Sequence, residues 1–76
     1  MNSTTKAIID RLPRKPLLAP ADIAAAYGFA STNTVLADIK TGRLAANVCG
    51  GKYIISRASA EAYIESNEYS PDEGAL

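Results

Sequence analysis

Asn33, Ala37 and Lys40 recur at helical spacing, and at about 100° per residue they fall on one face. Val35 and Ile39 fall on the opposite, apolar face, so the polar set points outward, with Leu36 and Thr41 at its margins. The chemistry open to such a face is hydrogen bonding to nucleic acid. An Asn amide pairs with adenine N6 and N7, and a Lys ammonium reaches phosphate or guanine. Thr32 and Thr34 stand at the helix start, where their hydroxyls and the free backbone N–H groups suit phosphate oxygens. Arg43, just after the helix, and Lys52, at the tip of a following hairpin, are further phosphate candidates. The alternative is an ordinary solvated helix face, since Leu36 and Ala37 are neutral and Asp38 is acidic.

No catalytic set is visible. The chain has no His, and Cys49 has no base near it in sequence, so it reads as a small hairpin residue. The glycines do not form a phosphate-cradling loop before a helix. Without His and with one Cys, neither a zinc site nor an intrachain disulfide is expected, and no cofactor is implied. The 76 residues allow one domain. A core of that size rarely supplies more than ~3–5 kcal/mol, so self-association or bound DNA would add to it. A free cysteine fits a reducing cytoplasm, no apolar run approaches the ~18 residues of a membrane span, and the N-terminus is no signal peptide.

The net charge is zero, but its distribution is uneven. Residues 1–59 hold all eight basic residues against three acids, a local balance of +5. Residues 60–76 hold five acids and no base, a balance of −5. Phosphate binding follows local field, so a basic body with an acidic end, there to temper nonspecific binding, is compatible with DNA. A solvated tail on a mildly basic domain reads equally well.

The elements that must position these residues follow from the pattern. Residues 3–12 predict a short helix capped by Ser3 or Thr4, with Ala7, Ile8, Ile9 and Leu12 on its apolar face, stopped by Pro13. Pro13 to Pro16 reads as an extended basic link, and Leu17 and Leu18 enter the core as a possible strand. Pro20 starts a second helix, Asp22 favours its N-terminus, Ile23, Ala24 and Tyr27 face inward, and Gly28 ends it. Phe29 is expected between two helices. Ser31 is expected to cap the helix over 32–41, which Gly42 stops, with Leu44 as the anchor beyond. Residues 45–49 and 52–55 predict a hairpin about Gly50-Gly51. Its register pairs Val48 with Tyr53 and Ala46 with Ile55 on the face toward the helices, and Cys49 with Lys52 and Asn47 with Ile54 on the other. Ser56 caps a last helix to about Ser66, with Ala60 and Ile64 inward and Tyr63 half-buried; residues 67–76 read as a loose tail.

These residues carry a resemblance. LLAPADIAAAYGF, STNTVLADIKTGRL and NVCGGKYIISRASAEAYI together resemble the small winged helix-turn-helix domains of the excisionase family, relatives of the MerR-type DNA-binding domain. The run Thr34-Val35 to Gly42-Arg43-Leu44 is the most specific part, followed by Gly50-Gly51-Lys52-Tyr53 with Ile55 and Arg57. The resemblance implies major-groove contacts from Thr32, Asn33, Thr34 and Lys40, with Lys52 near the wing. It implies several copies on adjacent sites, DNA bending, and an integrase or recombinase directed towards excision. Relative to the family, the turn Gly28 to Ser31 is one residue longer, and Thr32 and Asn33 stand where arginines are common. The longer turn would tilt the reading helix, and the missing arginines weaken a single copy and make cooperative binding more necessary.

The expectation is an α+β winged helix-turn-helix of three to four short helices with a two-stranded wing. It comprises a short helix and basic linker (1–16), the winged domain (17–66) and an acidic tail (67–76). The expected function is sequence-specific DNA binding as a non-enzymatic recombination directionality factor in the bacterial cytoplasm, associated with the nucleoid when bound. The rivals are a small transcription regulator of a mobile element and a protein-interaction module on a degenerate winged-helix scaffold. Ile8, Ile9 and Leu12 lie outside the resemblance, and either dock on a neighbouring copy or cover their own domain.

Overall fold

Most of the helices begin or end at a local signal. In the computed structural model, residues 2–68 are described, and they form α1 (Ser3–Arg11), β1 (Leu17–Leu18), α2 (Pro20–Tyr27), α3 (Asn33–Lys40), β2 (Asn47–Cys49), β3 (Lys52–Ser56) and α4 (Arg57–Ser66). The class is α+β, with four helices and one antiparallel sheet in the order β1-β3-β2. The third strand is the short one that Leu17 and Leu18 suggested, added beside the two-stranded hairpin. It arises where Leu17 and Leu18 pair with Ser56 and Ile55. No described helix is long and apolar enough to cross a membrane.

The cap of α1 is Asn2, ahead of the expected Ser3 or Thr4; its side-chain oxygen accepts from the Thr5 N–H at 2.8 Å. Ser56 caps α4 by accepting from the Ser59 N–H, as its sequence suggests. Asp22 reaches back from the first turn of α2 to accept from the Ala19 N–H at 2.9 Å, and Gly28 closes that helix in the left-handed conformation, φ 80°. The next helix departs from expectation at its start. Ser31 is not its cap, and α3 begins at Asn33 after Thr32, whose side chain makes no capping bond. The Ser31 hydroxyl instead accepts from the Asn33 N–H at 3.4 Å, a turn within the loop rather than a helix cap.

Gly50 and Gly51 both take positive φ, 58° and 77°, which a two-residue primed turn demands. That turn sets the expected register, with Asn47 opposite Ile54, Val48 opposite Tyr53 and Cys49 opposite Lys52. The outcome for packing is mixed. Ile55 is fully buried and Ala46 packs against the core, but Val48 is 67% exposed. Alternation set the direction of Val48 without supplying cover, because β2 packs chiefly on β3 and makes no extensive contact with a described helix. Similarly Leu18 is buried while Leu17, its neighbour on the other face of the sheet, stays 56% exposed. Ile54 is half-buried rather than exposed.

One core joins all four helices to the sheet. Ile23, Val35, Leu44, Ile55 and Ile64 are its largest fully buried side chains, each worth ~1.5–3 kcal/mol of burial. Ile9 and Leu12 belong to the same cluster, with Ile8 packed against it, so α1 is part of the domain and packs on α2 and α4. Their apolar face covers their own domain. Asn67 and Glu68 also belong to the packed body through side-chain hydrogen bonds, which moves the start of the expected tail; residues 69–76 lie outside the described set.

Candidate nucleic-acid interface

The turn from α2 to α3 buries Val35 and packs Ile39 against the core, which fixes the opposite face of α3 outward. Asn33, Thr34, Ala37 and Lys40 are all exposed there, and Thr32 at its head is half-exposed. Asn33 offers a free amide, and Lys40 enters none of the ion pairs among the described residues. Lys52 is exposed beside the Gly-Gly tip, opposite exposed Cys49. Thus α3 is held chiefly by α2, and the β2–β3 hairpin is held through β3 by β1, α4 and α2. The two candidate contact elements are attached independently to one core.

Arg43 behaves differently from the set it was expected to join. Its Nη2 donates to Asn67 Oδ1 at 3.1 Å, and its Nη1 lies 4.0 Å from Asp38 Oδ1. The guanidinium is therefore held towards the end of α4.

Asp38, read from sequence as an acid marring a basic face, is a strut. Its Oδ2 accepts a 2.5 Å hydrogen bond from the Tyr63 hydroxyl, and its side chain is only 17% exposed. Burial first, then the hydrogen bond to the Asp38 carboxylate, pushes the Tyr63 phenol up to about 12. Asn67 extends the strut by donating to the Tyr27 hydroxyl at 3.1 Å. Burial raises the Tyr27 phenol above its usual value, partly offset by Asn67. Tyr27 in turn stacks on Phe29 at 5.0 Å between centroids and meets Tyr63 edge-on at 6.2 Å. Phe29, expected between two helices, lies instead 40% exposed on the outside of Tyr27. The sequence held one usable signal for this network: an acid on α3 one residue before Ile39, with no basic neighbour at helical spacing on the same face. Nothing in the spacing pointed to Tyr63 or Asn67 as its partners.

Three-residue hydrogen bonding also fixes the far end. The Glu68 carboxylate accepts from the Thr5 hydroxyl at 2.9 Å and from the Asn2 N–H at 3.2 Å, and these bonds hold it below the usual carboxylate range.

Comparison with known proteins adds no relative: no protein-family model, curated protein or solved structure matches the chain.

Proposed function

We propose that this chain is a DNA-binding protein built as a winged helix-turn-helix, with α3 as the reading helix and the β2–β3 hairpin as the wing. The observation that carries the reading is the exposed face of α3. Asn33, Thr34, Ala37 and Lys40 stand free on a helix whose other side is buried. In this reading Asn33 pairs with an adenine edge, the Ala37 methyl meets a thymine methyl, and Lys40 takes guanine or phosphate. Thr32 and Thr34 bind phosphate at the helix start, and Lys52 binds the backbone beside the wing.

The excisionase resemblance extends the reading to a role. The protein binds and bends attachment-site DNA, and a separate recombinase performs the chemistry. Bending a 20–30 bp site costs on the order of 1–6 kcal/mol, which one weakly basic domain supplies poorly and adjacent copies supply together. A transcription regulator would use the same contacts. The interaction-module reading has one observation in its favour, the exposed Phe29 stacked on Tyr27.

A gel shift of the full chain on random duplex at low salt tests the reading. Binding that weakens steeply with salt is expected. Absence of binding at low salt would move the function to protein partners. Selection of a preferred sequence, followed by a bending assay on it, then separates an architectural role from simple occupancy.

A further inference from the structure

We propose that Arg14 and Lys15 form, together with Lys52, a second phosphate-binding strip that follows the DNA backbone past the wing. This rests on the DNA-binding reading and enlarges its contact surface.

The strip is a product of the third strand. Because β1 pairs antiparallel with β3, the linker that enters β1 is held beside Arg57, at the end of β3 away from the Gly50-Gly51 tip, and the chain then runs along β3 towards the tip. Lys15 and Lys52, far apart in sequence, then line one shallow depression over Leu17, Cys49 and Ile54. Arg14 and Lys15 line the adjoining depression with Pro16 and Arg57. Among the described residues no acid lines either one. The cations therefore continue in sequence of position from the wing tip along the outside of the sheet.

The backbone beneath them is shaped in advance. Pro13 and Pro16 bracket the two cations, the Lys15 N–H donates to the Pro13 carbonyl at 2.9 Å, and the Arg57 N–H donates to the Pro16 carbonyl at 2.9 Å. Preorganisation of this kind lowers the ordering cost of binding. Arg57 is engaged elsewhere, with Glu61 and the Pro13 carbonyl, and is not counted in the strip. Arg14 makes no side-chain hydrogen bond or ion pair among the described residues, and its exposed guanidinium is available. Among the described residues, Asp22 is the acid that pairs with the strip, 3.5 Å from Lys15. It is already bonded to the Ala19 N–H, and the Lys15 side chain is 54% exposed against 23% for Asp22. The ammonium thus sits on the solvent side of that pair, where a phosphate can replace the carboxylate.

The test is the affinity of the full chain for random duplex over a salt series. Each neutralised phosphate contributes about 0.9 to the slope of log affinity against log salt. R14Q/K15Q should weaken binding and lower the slope by about two units. R14Q alone, which leaves the Lys15–Asp22 pair intact, should lower it by about one. K6Q, on the exposed side of α1, should leave it unchanged. Thermal melts of each variant establish that the fold is retained. A wild-type protein that binds duplex with a slope unmoved by R14Q/K15Q overturns the strip and leaves the DNA reading standing. A wild-type protein that does not bind duplex overturns both. Tighter wild-type binding to polyglutamate than to duplex, lost in R14Q/K15Q, would overturn it in favour of an acidic peptide.

Discussion

The Tyr63 hydroxyl donates a 2.5 Å hydrogen bond to Asp38 Oδ2 and so ties the closing helix α4 to the candidate reading helix α3. A hydrogen bond to a charged acceptor contributes roughly 1.5–3 kcal/mol, and Tyr63→Phe should cost about that in urea unfolding near pH 7. The pH dependence follows from the phenol. Its folded pKa is raised above the ordinary 10 to about 12, so its contribution is fully present below pH 10 and lost as pH rises through 12. Unfolding measured from pH 9 to 12 should show a decline in wild type that is shallower in Y63F. A Y63F curve parallel to wild type across that window would remove Tyr63 as the source.

Asn33 and Lys52 are expected to fail in different ways. Asn33→Ala should cost ~1–3 kcal/mol on the preferred sequence and relax discrimination at one base position. Lys52→Ala should weaken binding to every sequence alike and reduce the salt slope by about one. Binding titrations on the preferred and a scrambled duplex, each at several salt concentrations, separate the two. If both variants bind as wild type does, the assigned surface is wrong.

Just beyond the C-terminus of α4, Glu68 predicts an acid-side effect of opposite sign. The Thr5 hydroxyl, and after it the Asn2 N–H, hold its carboxyl below the ordinary 4.5. The stability from this contact is therefore complete above pH 4.5 and lost as pH falls through the lower folded value. Thr5 is 3% exposed, so Thr5→Val keeps its volume while removing the donor. Thermal melts between pH 2 and 6 should show a smaller acid-side loss in T5V than in wild type. Equal losses would place the acid sensitivity elsewhere.

Legibility in the sequence followed the range of the interaction. Gly28, Gly42 and Gly50-Gly51 impose local backbone geometry, and the ends of two helices and the hairpin register follow from them alone. Period and alternation identified Ile23, Val35 and Ile55 as core, and the place of Leu44 after the helix stop identified it as an anchor. What escaped depended on partners distant in the chain. Val48 had the right direction but no cover, and Leu17 became the outward half of a two-residue strand. Asp38 is matched by Tyr63, 25 residues away, and Thr5 by Glu68, 63 residues away. No period carries such pairings. The face of α3 was legible because exposure there is the complement of a buried stripe, whereas Arg43, beyond the helix, was claimed by Asn67.

The placement of α1 decides how any cooperative assembly would have to work. Leu12 is 2% exposed and Ile9 8% exposed within their own core, so neither is available to dock on the wing of a neighbouring copy. Were they an intermolecular contact, Leu12→Ala would leave the isolated fold intact and lower affinity only where two copies sit side by side. As a core residue, Leu12→Ala should instead destabilise the free protein by about 2–5 kcal/mol, the usual cost of truncating a buried leucine. The two outcomes separate cleanly if urea unfolding of the free variant is paired with titrations on DNA carrying one and two repeats, at a temperature where the variant stays folded. The ratio of per-site affinities on the two DNAs should be the same for wild type and L12A, whether or not that ratio exceeds one. A stable L12A that loses a wild-type preference for two repeats would return α1 to the interface between copies.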